Sequence, residues 1–342
     1  ALCAAVHFVA PPRPAPQSSD GWLQPRLQSG WNLPALDAPL RALRGRRFDT
    51  VHIFRLGLMP VWQHLETALG VAAARVVLDL DDIESRAHFR EVKQQGLACG
   101  RLGIFRELAE GVKLRRAENR AGAEVDRLLV CSQDDRRLLE RRIAPEKLRV
   151  TPNGARFPEV LPPRPAATDT RLLFLGSLFY APNQHSVRWL LAEILPVIRK
   201  RHGRPAELAI VGRRPPDWLH RLAQESGAKL HADVPAVAPF YEDADVVLAP
   251  IRSGGGTRIK IIEAFGFGRP VISTRIGAEG LDVVDGESIL FAETPDEFAA
   301  ALGRLVGEPG LYARIADNAR RLVDDHYSAA AFARNMLAAH AP

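Results

Sequence analysis

Residues Pro250 to Pro270 read PIRSGGGTRIKIIEAFGFGRP and are the most informative segment for the fold. It directly follows the apolar run Asp245–Ala249, which is typical of a buried β-strand. Three consecutive glycines let a backbone approach a ligand closely. Thr257 is the predicted N-cap of a helix that runs to Phe267, with Gly268 as its terminator. A strand, a glycine-rich loop and a helix in this order predict one βα unit of a parallel α/β fold.

The helix predicted after the three glycines has two distinct faces. Its spacing places Ile259, Ile262 and Gly266 on an inward face, and Lys260 and Glu263 on a second face that we expect to reach solvent. The glycine-rich backbone, the first amides of the helix and the cations then converge where an anion would lie. This arrangement predicts a diphosphate site, and a glycine-rich turn with a surface Lys260–Glu263 ion pair is the alternative.

Other phosphate loops do not occur in the sequence. There is no Gly-Lys-Ser/Thr ending of a P-loop, and no Gly-x-Gly-x-x-Gly follows a predicted strand.

The rest of the chain repeats the βα pattern on both sides of one proline-rich segment. The segment Pro152–Pro165 contains five prolines and an Asn-Gly turn, which makes it the predicted domain linker. Alternating strands and helices predict two doubly wound, Rossmann-like parallel-sheet domains. The predicted strands are Thr50–Phe54, Val76–Leu80, Leu128–Cys131, Arg171–Gly176, Leu208–Gly212, Val246–Pro250 and Val271–Thr274. Two helices, Leu311–Asp324 and Ser328–His340, are predicted to close the chain.

A second loop, Leu175–His185, follows the first strand of the second half. Gly176 and Ser177 are expected at the carboxyl end of that strand, and Asn183 could cap the helix that begins near Gln184. An ordinary βα loop is the alternative interpretation.

The second half contains a series of segments in an order typical of one known family: Leu173–Ser177 with Pro182-Asn183, Ala209–Gly212, His231–Val234, Tyr241, Ala244–Pro250, Gly254–Pro270 and Val271–Thr274. In these segments the sequence resembles the retaining nucleotide-sugar glycosyltransferases of family four, which have the GT-B fold. The resemblance covers essentially all of residues 171–342, and it is weaker across 50–157.

The resemblance implies a transferase of class EC 2.4, of hexosyltransferase type, that moves a sugar from a nucleotide diphosphate sugar with retention and needs no metal or cofactor. Arg258 and Lys260 are implied as the diphosphate-holding, catalytic cations, and Glu263 as the acceptor of hydrogen bonds from the ribose. The backbone near Val234 is implied to face the base. The implied donor-binding set is completed by Gly176, Ser177, Asn183, Gly212, Gly254, Gly255, Gly256 and Thr257.

The sequence departs from the family pattern in the donor loops and at its start. Gly255 stands where the family commonly has a first glutamate, and Ser177 and Asn183 occupy the region of a common Arg and Lys. More of the anion binding is therefore expected to fall on Arg258 and Lys260. The strand-like run Cys3–Val9 suggests that the first strand, glycine-rich loop and helix of the acceptor domain precede Ala1, in which case the chain is amino-terminally truncated.

Asp79 and Asp81 form an Asp-x-Asp pattern just after a predicted strand of the first half. Three interpretations stay open: a divalent-metal role, a solvated loop, and an acceptor-side role for Asp81, Asp82 or His88, with Asp82 as the candidate general base. A helical His88 is more often structural. His52 is expected in the core.

Composition and charge limit the class of protein. The 342 residues are 46% hydrophobic and 25% charged, and three cysteines without metal-type spacing make a zinc site or a disulfide framework unexpected. Residues 1–157 hold 25 Lys and Arg against 18 Asp and Glu. The exposed basic residues expected there, such as Arg41 and Arg44, could attract an anionic substrate or phospholipid, or could be a solvated surface. No basic stripe interleaves with aromatic residues, which argues against nucleic-acid binding.

The sequence therefore predicts a bacterial, cytoplasmic GT-B glycosyltransferase that acts on a sugar, a lipid-linked or another small acceptor of a cell-envelope or exopolysaccharide pathway. Peripheral contact of the basic first domain with the inner membrane is an option. The alternatives are a catalytically silent nucleotide-sugar binding module and a nucleotide-sugar epimerase or hydrolase of related fold. The predicted domains are an acceptor-side domain 1–157, a donor-binding domain 158–327, and a last helix 328–342 that returns to the first domain.

Overall fold

The computed structural model describes residues 24–29, 31–95, 100–161, 169–203 and 205–341. The chain divides into two compact units, Ala1–Val150 and Thr151–Pro342. The strand-like run Cys3–Val9 lies outside the described residues, as does most of the end of the proline-rich segment. No helix in the described ranges combines the length and apolar character that a membrane crossing requires.

The described residues of the first unit form four parallel strands in the order β1-β2-β3-β4. The strands are β1 Arg47–Phe54, β2 Ala72–Asp79, β3 Arg127–Val130 and β4 Leu148–Val150. The α-helices are α1 Arg26–Ser29, α2 Met59–Leu69, α3 Glu84–Gln95, α4 Gly100–Glu124 and α5 Gln133–Leu139. Short 3₁₀ turns lie at Leu33–Leu36, Arg41–Leu43, Leu56–Leu58 and Pro145–Lys147. Side chains from β2, β3, α2 and α4 form one apolar core.

In the second unit, the part of the chain that the structure describes forms six parallel strands in the order β10-β9-β8-β5-β6-β7. The strands are β5 Thr170–Leu175, β6 Ala206–Gly212, β7 Lys229–Ala232, β8 Val246–Ala249, β9 Val271–Ser273 and β10 Leu290–Phe291. Its helices are α6 Ala181–Trp189, α7 Leu195–Arg201, α8 Asp217–Glu225, α9 Ala238–Asp243, α10 Ile259–Gly266, α11 Pro295–Gly307, α12 Leu311–His326 and α13 Ala329–His340, and a π-helical turn, Leu190–Ile194, joins α6 to α7.

Helices cover both faces of the second sheet, and its central strands are apolar on both sides for that reason. Alternate residues of one strand enter different cores: Leu172 and Phe174 pack on one face, and Leu173 packs on the other. Helix α11 begins with a capping box, in which the Thr294 hydroxyl accepts from the Glu297 amide and the Glu297 carboxylate accepts from the Thr294 amide.

The strand order of the second sheet reverses between β5 and β8. Strands β6 and β7 extend the sheet on one side of β5, and β8, β9 and β10 extend it on the other. In open α/β sheets the crevice beyond the carboxyl ends of the strands at such a reversal is where ligands bind. The loops after β5 and β8 meet at this point, and they are the two loops singled out in the sequence.

All seven strands predicted from the sequence are present, with ends shifted by a few residues. Three short strands, β4, β7 and β10, were not predicted. The two predicted closing helices are confirmed as α12 and α13. The domain limits at 157 and 327, and the return of the last helix to the first domain, stay predictions.

Candidate functional site

The loop after β8 brings the glycine-rich stretch to the point of strand reversal. Gly254 and Gly256 have φ of 92° and 70°, a region that side-chain-bearing residues rarely adopt, so glycine is required at both positions. The Arg258 guanidinium donates to the carbonyls of Gly255 and Ser253, the latter over 3.3 Å. The arginine therefore braces its own loop.

Helix α10 begins one residue later than the sequence predicted. Its N-cap is Arg258, and none of the described side chains caps its first amides, so the prediction of Thr257 as the cap is wrong. The reason is that the turn through Gly256 carries Thr257 away from the helix start, and its hydroxyl is buried without a hydrogen-bond partner among the described residues. The predicted end of the helix is confirmed to within one residue, because the helix ends at Gly266. Gly268 has a left-handed φ of 67°, as expected of a helix terminator.

Lys260 is buried, with only 7% of its surface exposed, and the expectation that it faces solvent is wrong. The error has a physical cause: α10 is buried on nearly every side between the sheet and α12, while Ile259, expected inside, is exposed. The Lys260 ammonium donates to Asn183 Oδ1 over 2.8 Å and lies 4.5 Å from the centre of the Phe174 ring. Burial, followed by repulsion from Arg258, lowers the pKa of Lys260 to about 7.

Asn183 connects the two loops. It lies inside α6, whose N-cap is Tyr180, so the expectation that Asn183 caps the helix is wrong. Its side chain is buried; the amide donates to the Ser177 carbonyl over 2.9 Å, and its oxygen accepts from Lys260. Because the hydrogen-bond partner of Lys260 is a neutral amide, the amine stays available to an anion.

Gly176 and Gly212 stand at the carboxyl ends of β5 and β6 and are in close contact. A Cβ on Gly176 would lie 2.8 Å from the Lys260 ammonium, and a Cβ on Gly212 would lie 1.9 Å from the Gly176 carbonyl oxygen. A side chain at Gly212 would displace the backbone at Gly176, and one at Gly176 would displace the side chains of Lys260 and Asn183. These glycines are therefore needed to bring Lys260 and Asn183 together.

Glu263 lies one turn after Lys260 and is paired with a different partner than predicted. The Tyr241 hydroxyl donates to Glu263 Oε2 over 2.8 Å and lies 3.2 Å from the Lys260 carbonyl oxygen. Burial raises the pKa of Glu263, and the Tyr241 hydrogen bond and the charge of Lys260 oppose that rise. The alternative of a surface Lys260–Glu263 ion pair is wrong, since Lys260 is buried and bonds to Asn183.

Two further groups border the glycine loop. The Ser253 hydroxyl, like that of Thr257, is buried without a partner in the described part of the chain. The Tyr180 hydroxyl lies 3.1 Å from where a Gly254 Cβ would be. Buried hydroxyls without a protein partner, such as those of Ser253 and Thr257, are typical of a site that a ligand completes.

The remaining predicted donor residues lie around the same edge of the sheet. Ser177 is exposed directly after β5, and Val234 is half-buried in the loop after β7, next to Asp233 with its φ of 50°. The Asp233 amide donates to the Gly212 carbonyl over 3.0 Å, which ties the Val234 loop to the end of β6.

In the first unit, the Asp-x-Asp pair is engaged by neighbouring groups. Arg55 pairs with Asp81, and Asp79 Oδ1 accepts from the Asp81 amide over 3.0 Å. His52 is exposed, with its Nε2 3.7 Å from Asp79 Oδ2, so its predicted place in the core is wrong. Side chains alternate between the two faces of a strand, and in β1 His52 and Phe54 share the exposed face while Ile53 is buried on the other. Asp82 is half-buried beyond β2.

His88, the last candidate residue of the first unit, lies in a contact between two helices. His88 Nε2 lies 2.8 Å from the Glu107 carbonyl oxygen and 3.5 Å from its carboxylate, a contact between α3 and α4. Within the described ranges, no three His, Cys, Asp or Glu side chains are grouped so that they could hold a metal ion.

Sequence reasoning missed Tyr241 and Phe174 as parts of the site. Tyr241 was noted only as part of a matching segment, and its pKa is raised well above 10 by burial and by Glu263. No periodicity marks either residue, because both are also core residues.

Comparison with known proteins gives relatives for most of the chain. Residues 169–308 match the family model of the glycosyl transferases group 1. A D-inositol 3-phosphate glycosyltransferase of Nocardiopsis dassonvillei is 28% identical over 275 residues, which is 72% of this chain. The match covers 61% of that relative's length.

Solved structures share the architecture. Sucrose-phosphate synthase of Thermosynechococcus elongatus aligns with a TM-score of 0.67 at 17% identity, covering 90% of this chain and 76% of the other. HepE of Anabaena, solved with UDP and glucose, aligns with a TM-score of 0.64 at 15% identity. The alignment covers 85% of this chain and 77% of HepE. The fold is GT-B.

Proposed function

We propose that the protein is a glycosyltransferase that binds a nucleotide diphosphate sugar in its second unit, at the point where the strand order reverses. One observation carries the proposal: the buried Lys260 ammonium lies between two glycine-containing loops and has a neutral amide as its hydrogen-bond partner. A buried cation is costly unless it is paired. An anionic ligand at this position would supply the missing charge.

The proposed mechanism depends on the charge that develops on the departing diphosphate. As the bond between the sugar and the diphosphate breaks, negative charge moves onto the phosphate oxygens. Lys260, Arg258 and the uncapped first amides of α10 would stabilise that charge, and groups fixed before the reaction stabilise a transition state most effectively. Because the Lys260 pKa is about 7, the arriving anion would hold the amine in its charged form.

The nucleoside would be held by neighbouring groups. Glu263 is fixed by the Tyr241 hydroxyl, and its carboxylate would accept hydrogen bonds from the ribose hydroxyls. The backbone at Val234 would face the base. We further propose that transfer retains the anomeric configuration, that the sugar is a hexose, and that the two cations provide the charge compensation without a metal. The proposed setting is the cytoplasm.

The acceptor is proposed to be a hydroxyl group of a cell-envelope or exopolysaccharide precursor. Support comes from the curated relative, which is named for a phosphorylated polyol, D-inositol 3-phosphate. Asp82 is the proposed acceptor-side base, because it follows β2 at the carboxyl end of the first sheet.

Thermal-shift screening against nucleotides and nucleotide sugars tests the proposal. A donor present at 100 times its dissociation constant adds about 2.7 kcal/mol to the free energy of unfolding, which corresponds to roughly 5–10 °C in Tm. The best donor is then incubated with sugar, polyol and lipid-linked acceptors while nucleoside diphosphate release is followed.

Release that depends on an acceptor supports a transferase. Binding without release under any condition would indicate a silent nucleotide-sugar binding module, and free sugar or an epimer without acceptor would indicate a hydrolase or an epimerase. No shift with any nucleotide would overturn the donor site itself.

A further inference from the structure

We infer that the outward face of α4 in the first unit is a docking surface for an anionic lipid bilayer. The face carries large apolar side chains in solvent: Leu102 is 80% exposed, Phe105 is 71% exposed, and Leu108 and Val112 are about two-fifths exposed. Spacings of three and four residues place them along one side of the helix. This surface lies in the first unit and does not depend on the proposed donor site.

The orientation of α4 is fixed by polar groups on its opposite face. The fully buried Glu118 accepts from the Ser85 amide over 2.8 Å and forms a 2.8 Å salt bridge with Arg142. Gly111 packs so closely on Phe89 that a Cβ there would lie 2.5 Å from the ring. These contacts hold α4 against α3 and the turn that follows α5, so the apolar side chains cannot turn inward.

Charge on the outward face indicates the occupant. The exposed side chains there include Arg106, Arg115, Arg116 and Arg120. Of the acidic residues of α4, Glu107, Glu110 and Glu118 are turned towards the rest of the unit, and Glu124, at the end of the helix, is exposed and accepts from Gln63. None of the four arginines forms an ion pair in the described part of the chain. Apolar side chains bordered by cations are the composition of helices that lie in the headgroup region of anionic membranes.

A basic cavity opens on the α3 side of α4 and shares Arg115 with the outward face. It has a volume of about 410 Å³ and is bordered by α3, α4 and the end of α5. Phe89 and Leu138 supply apolar surface, and the cations around them include Arg90, Lys93, Arg115 and Arg141. The apolar lining and the cations match the two parts of a phospholipid, its glycerol ester region and its phosphate.

Vesicle flotation of the whole chain tests the docking surface. The probes are vesicles of phosphatidylcholine alone and vesicles in which phosphatidylglycerol replaces about a third of the lipid. We expect binding to the anionic vesicles only, with a fall in binding as salt is added. Arg116→Gln combined with Arg120→Gln should lower the partition coefficient about 25-fold, at about 1 kcal/mol per charge. Phe105→Ser combined with Val112→Ser should lower it at least about tenfold.

Matched variants provide the controls. Arg41→Gln with Arg44→Gln removes the same charge from another exposed part of the first unit, and Leu337→Ser removes an exposed apolar residue of α13. Both should bind vesicles like the parent protein, and all variants should keep its Tm.

Two results would overturn the inference. Equal losses for the α4 and Arg41/Arg44 pairs would show that net charge, and not this face, determines binding. Alternatively, if the Phe105→Ser, Val112→Ser variant binds vesicles normally but changes a dimer into a monomer in light scattering, the face contacts a second copy of the chain.

Discussion

The buried amine of Lys260 should make nucleotide-sugar binding depend on pH. In the free protein its pKa is lowered from 10.5 to about 7 by burial and by Arg258. A bound diphosphate favours the charged amine and raises this pKa again. Above pH 7 the ligand must therefore bind together with a proton.

The magnitude follows from linkage. Between pH 7 and the pKa of the complex, affinity should fall about tenfold per pH unit, which is about 1.4 kcal/mol per unit. At pH 8 roughly nine-tenths of the free protein has a neutral Lys260, so about 0.9 proton is taken up per ligand bound. A nucleotide sugar is the right ligand, because its diphosphate carries no proton that titrates in this range.

Stability should change in the opposite direction to affinity. The pKa of Lys260 is lower in the folded chain than in the unfolded chain, so the unfolded state binds more protons between pH 7 and 10.5. The free energy of unfolding therefore rises with pH across this window, relative to a Lys260→Met variant.

Isothermal titration calorimetry in two buffers of different ionisation enthalpy measures the proton uptake. Lys260→Met should bind more weakly and without pH dependence, whereas Lys200→Met, which alters an exposed lysine of the same unit, should match the parent. If the parent shows no uptake at pH 8, or if Lys260→Met keeps the same pH slope, the assigned role of Lys260 is wrong.

Three other predictions concern the remaining parts of the site. Glu263→Gln should weaken nucleoside diphosphate binding by about 1–2 kcal/mol in calorimetry, and equal affinity would remove the ribose role. Gly212→Ala places a Cβ 1.9 Å from the Gly176 carbonyl oxygen and should lower the free energy of unfolding by roughly 1–3 kcal/mol. The control Gly303→Ala, on an open helix face, should be neutral or stabilising. Similar denaturation midpoints for the two variants would contradict the packing argument. Nucleotide-sugar binding should survive excess EDTA, and a loss restored by manganese would move the anion site to the Asp79–Asp81 loop.

The architecture was predictable because it depends on patterns that are local in sequence. Apolar runs of strand length alternate with helical stretches, and parallel sheets covered on both faces require that alternation. The short strands β4, β7 and β10 were missed because two to four residues carry too little pattern to stand out. The glycine loop was identified because three glycines and two cations follow a strand directly.

The internal geometry of the site was not predictable from the sequence. Whether Lys260 faces solvent depends on how many elements pack around α10, and helical spacing does not contain that information. Asn183 as the partner of Lys260, and Tyr241 as the partner of Glu263, depend on contacts between residues 77 and 22 positions apart. Thr257 has the residue type of an N-cap, but the left-handed Gly256 directs the chain differently.

The most direct test of the account is a double-mutant cycle on the proposed donor site, with nucleotide-sugar affinity measured for the parent, Arg258→Ala, Lys260→Ala and the double variant. Each single change should cost about 1.5–3 kcal/mol of binding free energy, and the double variant should lose less than the sum if both cations act on one diphosphate. Melting curves for each variant separate loss of binding from loss of folding. Unchanged affinity in folded single variants would contradict the claim that this loop holds the diphosphate.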